Sequence, residues 1–435
     1  MQQRGMSRNN SAAGMPGASH LTTSLNDAMY RIFCQRCHTI VAESALQMAC
    51  PECGGPLDFQ YDKPKSLSDG VTPSMWRYRD VLPVRPGASI LSIGEGWTFF
   101  APARRYAPRR VYLKNEGLNP TGSHKDRALS IGITKALEFG IRTAMLYSDG
   151  STALSSAAYS ARGGLRNITV VPARTPGYRL LPLVLYNSQV LEYQGPAAEG
   201  LSWVHKACRT LGIYETTNYR QANPYESEGA KTIGFEIFEQ LNEVPEWVVV
   251  PVGGGGSLAA IWRAFQELRS WGLTSELPHM AAVLPERYSM LERALQCHAA
   301  TEQELKSLTP AELPVTIQVK TAMAFAPDGL EAIAAVRESA GVILYASDPE
   351  VLAAQEKLGR EGIYAEPSAA AALVGAEKLL ETKHASASAS IVAVVTGSGF
   401  RETGTIAGLV SAPVIPISED SGLLVLEKII KEESR

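Results

Sequence analysis

No run of about 18 apolar residues occurs in the sequence, so a membrane-crossing helix is not expected. Charge of either sign is nearly balanced: 41 lysines and arginines against 44 aspartates and glutamates leave a net charge of −3. That balance proposes neither nucleic acid nor an anionic membrane as a partner. Histidine is scarce, and His205, His279, His298 and His384 lie far apart, without the spacing of a metal site. No repeat of about 20 to 50 residues is present, which excludes a solenoid. Residues 1–28 are rich in Ser, Ala, Gly, Asn and Met and lack the apolar core of a secretion signal. They are expected to form a disordered tail, and the cytoplasm is the expected compartment. What remains is a globular chain of 435 residues, 45% hydrophobic and 20% charged, enough for two or three domains.

Cysteine is also scarce, yet four of the six residues fall together as Cys34-x2-Cys37, twelve residues, then Cys50-x2-Cys53. Paired knuckles of this kind let four thiolates converge on one zinc. Two disulfides are the rival, which a reducing cytosol disfavours. With little apolar content of its own, this segment would draw its folding energy from the metal. No histidine or carboxylate leaves a coordination position open, so the zinc is expected to be structural. His38 reads as a surface residue, and Cys208 and Cys297 read as packing residues.

From about Lys65 the chain alternates apolar strands with helical stretches. The clearest strands are Thr143–Tyr147, Asn167–Val171, Trp247–Val250 and Ile391–Val395. Near-continuous β-branched runs between helices predict parallel sheets covered on both faces, hence an α/β fold. Ligands in such sheets bind beyond the carboxyl ends of the strands. Three strand ends carry unusual loops: Ser148–Thr152, which opens a helix predicted over Thr152–Arg162, then Pro251–Ser257, and Thr396–Arg401.

The sequence centres on Leu118-Asn119-Pro120-Thr121-Gly122-Ser123-His124-Lys125-Asp126-Arg127. It follows the apolar run Val111–Leu113 and precedes a helix predicted over Ala128–Phe139, ending at Gly140. Asn-Pro-Thr-Gly is turn chemistry that sets Lys125 at the mouth of that helix. Backbone N–H groups and the positive helix end there suit an anionic cofactor and lower the pKa of an amine, as a Schiff-base lysine requires. Four consecutive glycines, Gly253 to Gly256, then let backbone N–H groups wrap a phosphate. A dinucleotide site would want an acidic residue on a strand about 20 positions later. Glu276 stands near that distance, within Ser275–Pro278, but no strand carries it.

Together Gly94–Thr98, Leu113–Arg127 and the glycine loop resemble threonine synthases. More broadly they resemble the pyridoxal-phosphate enzymes of the tryptophan synthase β fold. The resemblance runs from the cysteine-rich segment, which some threonine synthases carry, to about Leu380 and again over Ile391–Glu402. It implies two doubly wound α/β domains with a zinc ribbon at the N-terminal edge. The ribbon would span 29–65, a large cofactor domain 66–130 and 220–435, and a small mobile domain 131–219 that closes over substrate. It also implies a homodimer.

Residue by residue, the resemblance makes Lys125 the cofactor-bearing amine and the group that moves the α-proton. Gly253, Gly254, Gly255 and Gly256, with Ser257, would cradle the cofactor phosphate. Thr396 would meet the pyridine nitrogen, a neutral partner that favours side-chain elimination and replacement over transamination. Ser148, Gly150 and Thr152, with Ser123 nearby, would hold the amino acid, and Ser151 would face the ring hydroxyl. Glu366-Pro367-Ser368 matches a segment near the substrate.

The departures are as informative. Ser151 stands where the family has asparagine, which shortens the reach to the ring hydroxyl or requires a water between. His124 replaces a commoner phenylalanine, and Phe99 and Phe100 replace proline and leucine. Within Asn223–Thr232, Glu226 stands where the family has an arginine that pairs with the substrate phosphate. A carboxylate there repels a phosphate, unless Lys231 turns inward to compensate.

The implied function is a pyridoxal-phosphate-dependent lyase or replacement enzyme acting on a small amino acid. Threonine synthesis, β-replacement on a serine derivative (as in cysteate synthases) and serine or threonine deamination compete within that class. A catalytically silent binding paralogue is the rival of another class, against which Lys125, the glycine loop and Thr396 argue.

Overall fold

The computed structural model describes residues 30–310, 312–406, 415–418 and 423–429. The tail expected over 1–28 lies outside them. The acidic and basic C-terminal stretch, expected as a solvated helix or tail, is helical and largely exposed over 423–429, and its last six residues lie outside.

Three sheets organise the chain. Strands β1 (Tyr30–Cys34), β2 (Ile40–Val41) and β3 (Leu57–Tyr61) form a small antiparallel sheet in the order β2-β1-β3. Strands β4 (Phe100–Pro102) and β5 (Arg110–Asn115) begin the largest sheet. After them come β6 (Thr143–Tyr147), β7 (Arg166–Pro172), β8 (Gln189–Tyr193) and β9 (Tyr214–Glu215), a parallel four-stranded sheet in the order β8-β7-β6-β9. The chain then returns to the largest sheet with β10 (Trp247–Pro251), β11 (His279–Pro285), β12 (Val342–Ala346) and β13 (Ser390–Val395). Its order is β12-β11-β10-β13-β5-β4, parallel except for the edge strand β4. Every residue of β10 and β13 is buried, as their unbroken Val and Ile runs require of strands covered on both faces.

The register of this sheet builds the site. Strand β13 pairs with β5 so that Val395 lies beside Asn115, and the two chains therefore leave the sheet together. The loop after β5 carries Lys125 and the loop after β13 carries Thr396. They stay zipped: Ser398 N donates to Gly122 O at 2.9 Å, and Ser123 bridges to Gly397. Helix Lys125–Glu138 follows, beginning three residues before the predicted start because Ser123 Oγ accepts the Lys125 N–H at 3.3 Å. Every residue from Asp126 to Ala136 is buried, so the polar groups on this helix need partners inside the protein.

Arg127 shows what that requirement produces. Its guanidinium donates to Glu116 at 2.7 Å through both Nε and Nη2, and to Glu236 at 2.5 and 2.8 Å. Lys114 Nζ reaches Glu236 Oε2 at 2.5 Å, and all four side chains are fully buried. The network ties β5, the start of the helix and helix Lys231–Leu241 together directly behind Lys125.

The helix predicted over Thr152–Arg162 spans Ser151–Gly163 and stops at Gly164, whose φ of +69° is the left-handed cap that glycine adopts most readily. The small sheet is held to the body through β3. Asp58 accepts from Arg220 at 2.9 Å and Arg263 at 2.5 Å, and Tyr61 Oη donates to Glu228 at 3.0 Å. His38 is exposed, as expected. Cys208 is buried, but Cys297 is exposed just past the helix Met290–Gln296 and is not a packing residue.

Candidate active site

Lys125 is the first residue of its helix, and Nζ donates to Asn218 Oδ1 at 2.7 Å. Burial pulls the amine below its usual pKa, partly opposed by the carboxyls of Asp328 and Glu226. An amine so placed holds a larger neutral, nucleophilic fraction than an exposed lysine. The cavity beside it is also lined by Ala128, Asn218, Glu226, Gly256, Ser257 and Asp328. His124 joins the lining and is held neutral by burial, its pKa pushed down to about 3, with Nδ1 donating to Thr396 O at 3.1 Å.

The glycine loop runs from β10 into helix Gly256–Ser270, which at 15 residues presents a full set of N-terminal N–H groups. Gly255 has a φ of +98°, and a Cβ there would lie 2.5 Å from Asp328 O. Only glycine combines that backbone with so close an approach. Gly256 and Ser257 line the Lys125 cavity, whereas Gly253 opens on a neighbouring one with Leu284, Thr321 and Met323. A Cβ on Gly256 would meet Asp328 Oδ2 at 2.5 Å, so this carboxyl lies over the helix start. Its pKa is pushed up to about 7 by burial and by Glu331. The glycine cradle, the helix end and a lysine of lowered pKa together fit a phosphate-bearing aldehyde.

The loop Ser148–Thr152 leaves β6, and Ser148 Oγ accepts the Gly150 N–H at 3.2 Å. Ser151 is not bare: Arg401 Nη1 donates to its Oγ at 2.7 Å. Arg179 Nη1 bonds Asp149 at 2.6 Å while its Nη2 bonds Glu402 at 2.8 Å, and Lys320 Nζ bonds Glu402 at 2.6 Å. Lys320 also fills the space above Gly150, 2.9 Å from where a Cβ would stand. The Thr396–Arg401 loop is thus joined to the Ser148–Thr152 loop by cations on both sides. Glu366 is buried against Gly397, next to Thr396.

The structure gathers Lys125, Gly256, Ser257 and Glu226 on one cavity. Ser123 and Thr396 adjoin it, while in the Ser148–Thr152 loop Ser151 meets Arg401 and Gly150 meets Lys320. Glu226 is fully buried, and Lys231 does not turn toward it. That lysine pairs instead with Glu228 at 2.8 Å and Glu267 at 3.0 Å. Asn218, Asp328, Arg401 and Lys320 were not legible as site residues. Asn218 follows the two-residue strand β9, too short to read from sequence, and Asp328 gains its place only through the fold over Gly255.

At the other end of the chain Cys34, Cys37, Cys50 and Cys53 bring four Sγ atoms within 4.8 Å of one another. The Cys34–Cys53, Cys37–Cys50 and Cys37–Cys53 separations are 3.5, 3.6 and 3.5 Å. The edge of a tetrahedron with metal–sulfur bonds of about 2.3 Å is about 3.8 Å, so the set could hold a metal. It is the only such cluster among the described residues. No helix among them is long and apolar enough to cross a membrane.

Residues 91–397 match the family described as pyridoxal-phosphate dependent enzyme. The threonine synthase of Methanosarcina acetivorans is 32% identical over 399 residues, covering 89% of this chain and 96% of that protein. That of Methanocaldococcus jannaschii is 33% identical over 396 residues, covering 88% and 95%. Among solved structures, O-ureido-L-serine synthase superposes with a TM-score of 0.59 at 21% identity over 75% of this chain and 96% of its own. Maize serine racemase gives 0.59 at 17% identity over 78% and 94%, and a tomato threonine deaminase 0.58 at 20% over 72% and 84%. These structures establish the fold, that of the type II pyridoxal-phosphate enzymes. The chain is a pyridoxal-phosphate-dependent lyase that acts on a small amino acid, and it belongs to the threonine synthase family.

Proposed function

We propose that this enzyme catalyses elimination or replacement at the side chain of an amino acid that carries no phosphate. The observation that carries this reading is Glu226, a fully buried carboxyl on the Lys125 cavity that forms no ion pair among the described residues. A dianionic phosphate brought there would be desolvated without a cation to pair with.

Pyridoxal phosphate, when bound, supplies the electron-withdrawing ring that makes the α-proton acidic. Lys125 would hold it, and its amine is the group placed to take that proton. The N–H groups of the loop Gly253 to Gly256, of which Gly256 opens on the Lys125 cavity, would hold the phosphate with the Ser257 hydroxyl. Thr396 would meet the pyridine nitrogen as an uncharged partner. Ser148, Gly150 and Thr152 take the substrate carboxylate on the helix N-terminus, and Ser151 takes the ring hydroxyl, with Arg401 reinforcing that end. Glu366, beside Thr396, borders the same end. Residues 131–219, which contain the four-stranded sheet, act as the small domain that closes to exclude water.

Steady-state assays of the cofactor-loaded protein with O-phosphohomoserine, serine, threonine and homoserine test the reading. The unphosphorylated amino acids are expected to have the higher kcat/KM. Efficient threonine formation from O-phosphohomoserine overturns it.

The four cysteines are the ligands of a structural zinc, a reading supported by their convergence and by a cluster that, among the described residues, includes no histidine or carboxylate. Elemental analysis is expected to find about one zinc per chain. A strong chelator is expected to unfold the ribbon, break the Asp58 and Tyr61 contacts and lower Tm. An unchanged Tm with the metal removed contradicts a structural role. The six cysteines form no disulfide, which suits a cytoplasmic protein. Helix Gly177–Leu185 exposes Leu181, Val184 and Leu185, an apolar face that a second copy in a homodimer would cover.

A further inference from the structure

Glu226 lies on the short helix Pro224–Ser227 and packs against the Lys125 helix, where Gly132 makes room for it. A Cβ on Gly132 would stand 2.4 Å from Glu226 Oε1. Lys125, Ala128 and Gly132 share one helix face, so the carboxyl sits along the wall on which the catalytic amine stands. Oε1 accepts a bond from Asn223 Nδ2 at 3.3 Å, whereas Oε2 is buried and has no hydrogen-bond partner among the described residues. A buried polar atom left unbonded costs stability unless some other group satisfies it. Asn218, which takes the Lys125 bond, and the Lys125 amine both favour the ionised form of Glu226, while burial and the nearby Glu215 oppose it and prevail. Burial and Glu215 push the Glu226 carboxyl well above its usual pKa. Its place on the Lys125 cavity, with Oε2 unbonded, suits the carboxyl to give a proton to a ligand there.

The two leaving groups differ in what they ask of the protein. Phosphate departs as a stable anion and needs no proton. Hydroxide is a poor leaving group and departs readily only as water. We propose that Glu226 is the catalytic acid that protonates a hydroxyl leaving group, and that the substrate of this enzyme is a hydroxy amino acid with an uncharged side chain. This inference rests on the function proposed above and names the substrate class of that site.

For a β-hydroxyl the step balances without a further reactant. Lys125 Nζ takes the α-proton, and the Cα–H electron pair becomes the Cα–Cβ π bond. The Cβ–O pair leaves with oxygen, which takes the Glu226 proton and departs as water. Solvent then resets Lys125 and Glu226, and the net change is loss of water.

The test compares leaving groups in the cofactor-loaded enzyme, using serine and threonine against β-chloroalanine, whose chloride needs no acid. Glu226→Gln keeps the shape of the side chain and the contact with Asn223. It is expected to lower kcat for serine and threonine by roughly a hundredfold or more, and for β-chloroalanine by less than about tenfold. Glu226→Asp keeps an acid but shortens its reach, and is expected to show the same selective loss to a smaller degree. It also serves if the glutamine variant does not fold. Equal losses on both kinds of substrate would mean that Glu226 only supports the fold, and would overturn the inference while leaving the cofactor reading intact. A wild-type protein that forms no visible Schiff-base band with pyridoxal phosphate overturns that reading and this inference with it.

Discussion

Lys125→Ala is expected to lower kcat by roughly a thousandfold or more, because one side chain both holds the cofactor and moves the α-proton. The structure makes the effect specific to the amine. Nζ contacts Asn218, not the Glu116–Arg127–Glu236 network, so its loss leaves the buried ion cluster in place. Thermal denaturation of the variant without cofactor should therefore stay near the wild-type value. With the buried lysine gone, one desolvated amine no longer needs accommodation, and stability can even rise. A variant that retained more than about a tenth of the activity would place the chemistry on another residue.

Arg127→Met has the largest expected effect on folding. The guanidinium satisfies Glu116 and Glu236 together, and both carboxyls are held below their usual pKa chiefly because Arg127 outweighs the penalty of burial. Removing it leaves two fully buried carboxylates with Lys114 as their only cation in the network. Breaking a buried pair in this way costs about 3–5 kcal/mol, far more than a surface ion pair contributes. Denaturant unfolding is the check. Adding Glu116→Leu and Glu236→Leu to the same chain should recover much of the loss, because replacing a whole ion cluster by apolar groups of similar size is often near neutral. If Arg127→Met alone cost less than about 1 kcal/mol, the cluster would not be the brace it is described as.

The same cluster explains why the sequence around Lys125 was readable. Glu95 of Gly94–Thr98 accepts bonds from Trp76, Ser130 and Tyr159, and Trp97 N donates to Glu236 Oε1 at 2.7 Å. Gly96, at φ +88°, allows the Met75 N to come within 2.3 Å of where a Cβ would stand. Stretches bound by so many close contacts admit few other residues, and their motifs point to both the fold and the lysine. The strands of the central sheet were legible for the same reason, since β10 and β13 are buried on both faces and admit only apolar residues.

The cavity walls were less legible. Asn218 and Asp328 stand in turns after short or irregular segments, and no periodicity marks them. Their positions come from long-range packing. Arg220 N donates to Asp328 Oδ1 at 2.9 Å while its side chain reaches Leu57 O at 3.1 Å in the ribbon strand. Arg401 likewise meets Ser151 only because β13 and β6 send their loops toward each other across two different sheets. Glu226 lies between these cases. Its charge was visible as a departure in a recognisable motif, but its burial, its free oxygen and the indifference of Lys231 needed the structure.

Borohydride reduction of the protein loaded with pyridoxal phosphate, followed by proteolysis and mass mapping, tests most directly whether the amine of Lys125 carries the cofactor. The predicted result is a single pyridoxyl-modified peptide with the label on residue 125, lost in Lys125→Ala. A label on a different lysine, or a fully loaded protein that yields no label, would contradict it.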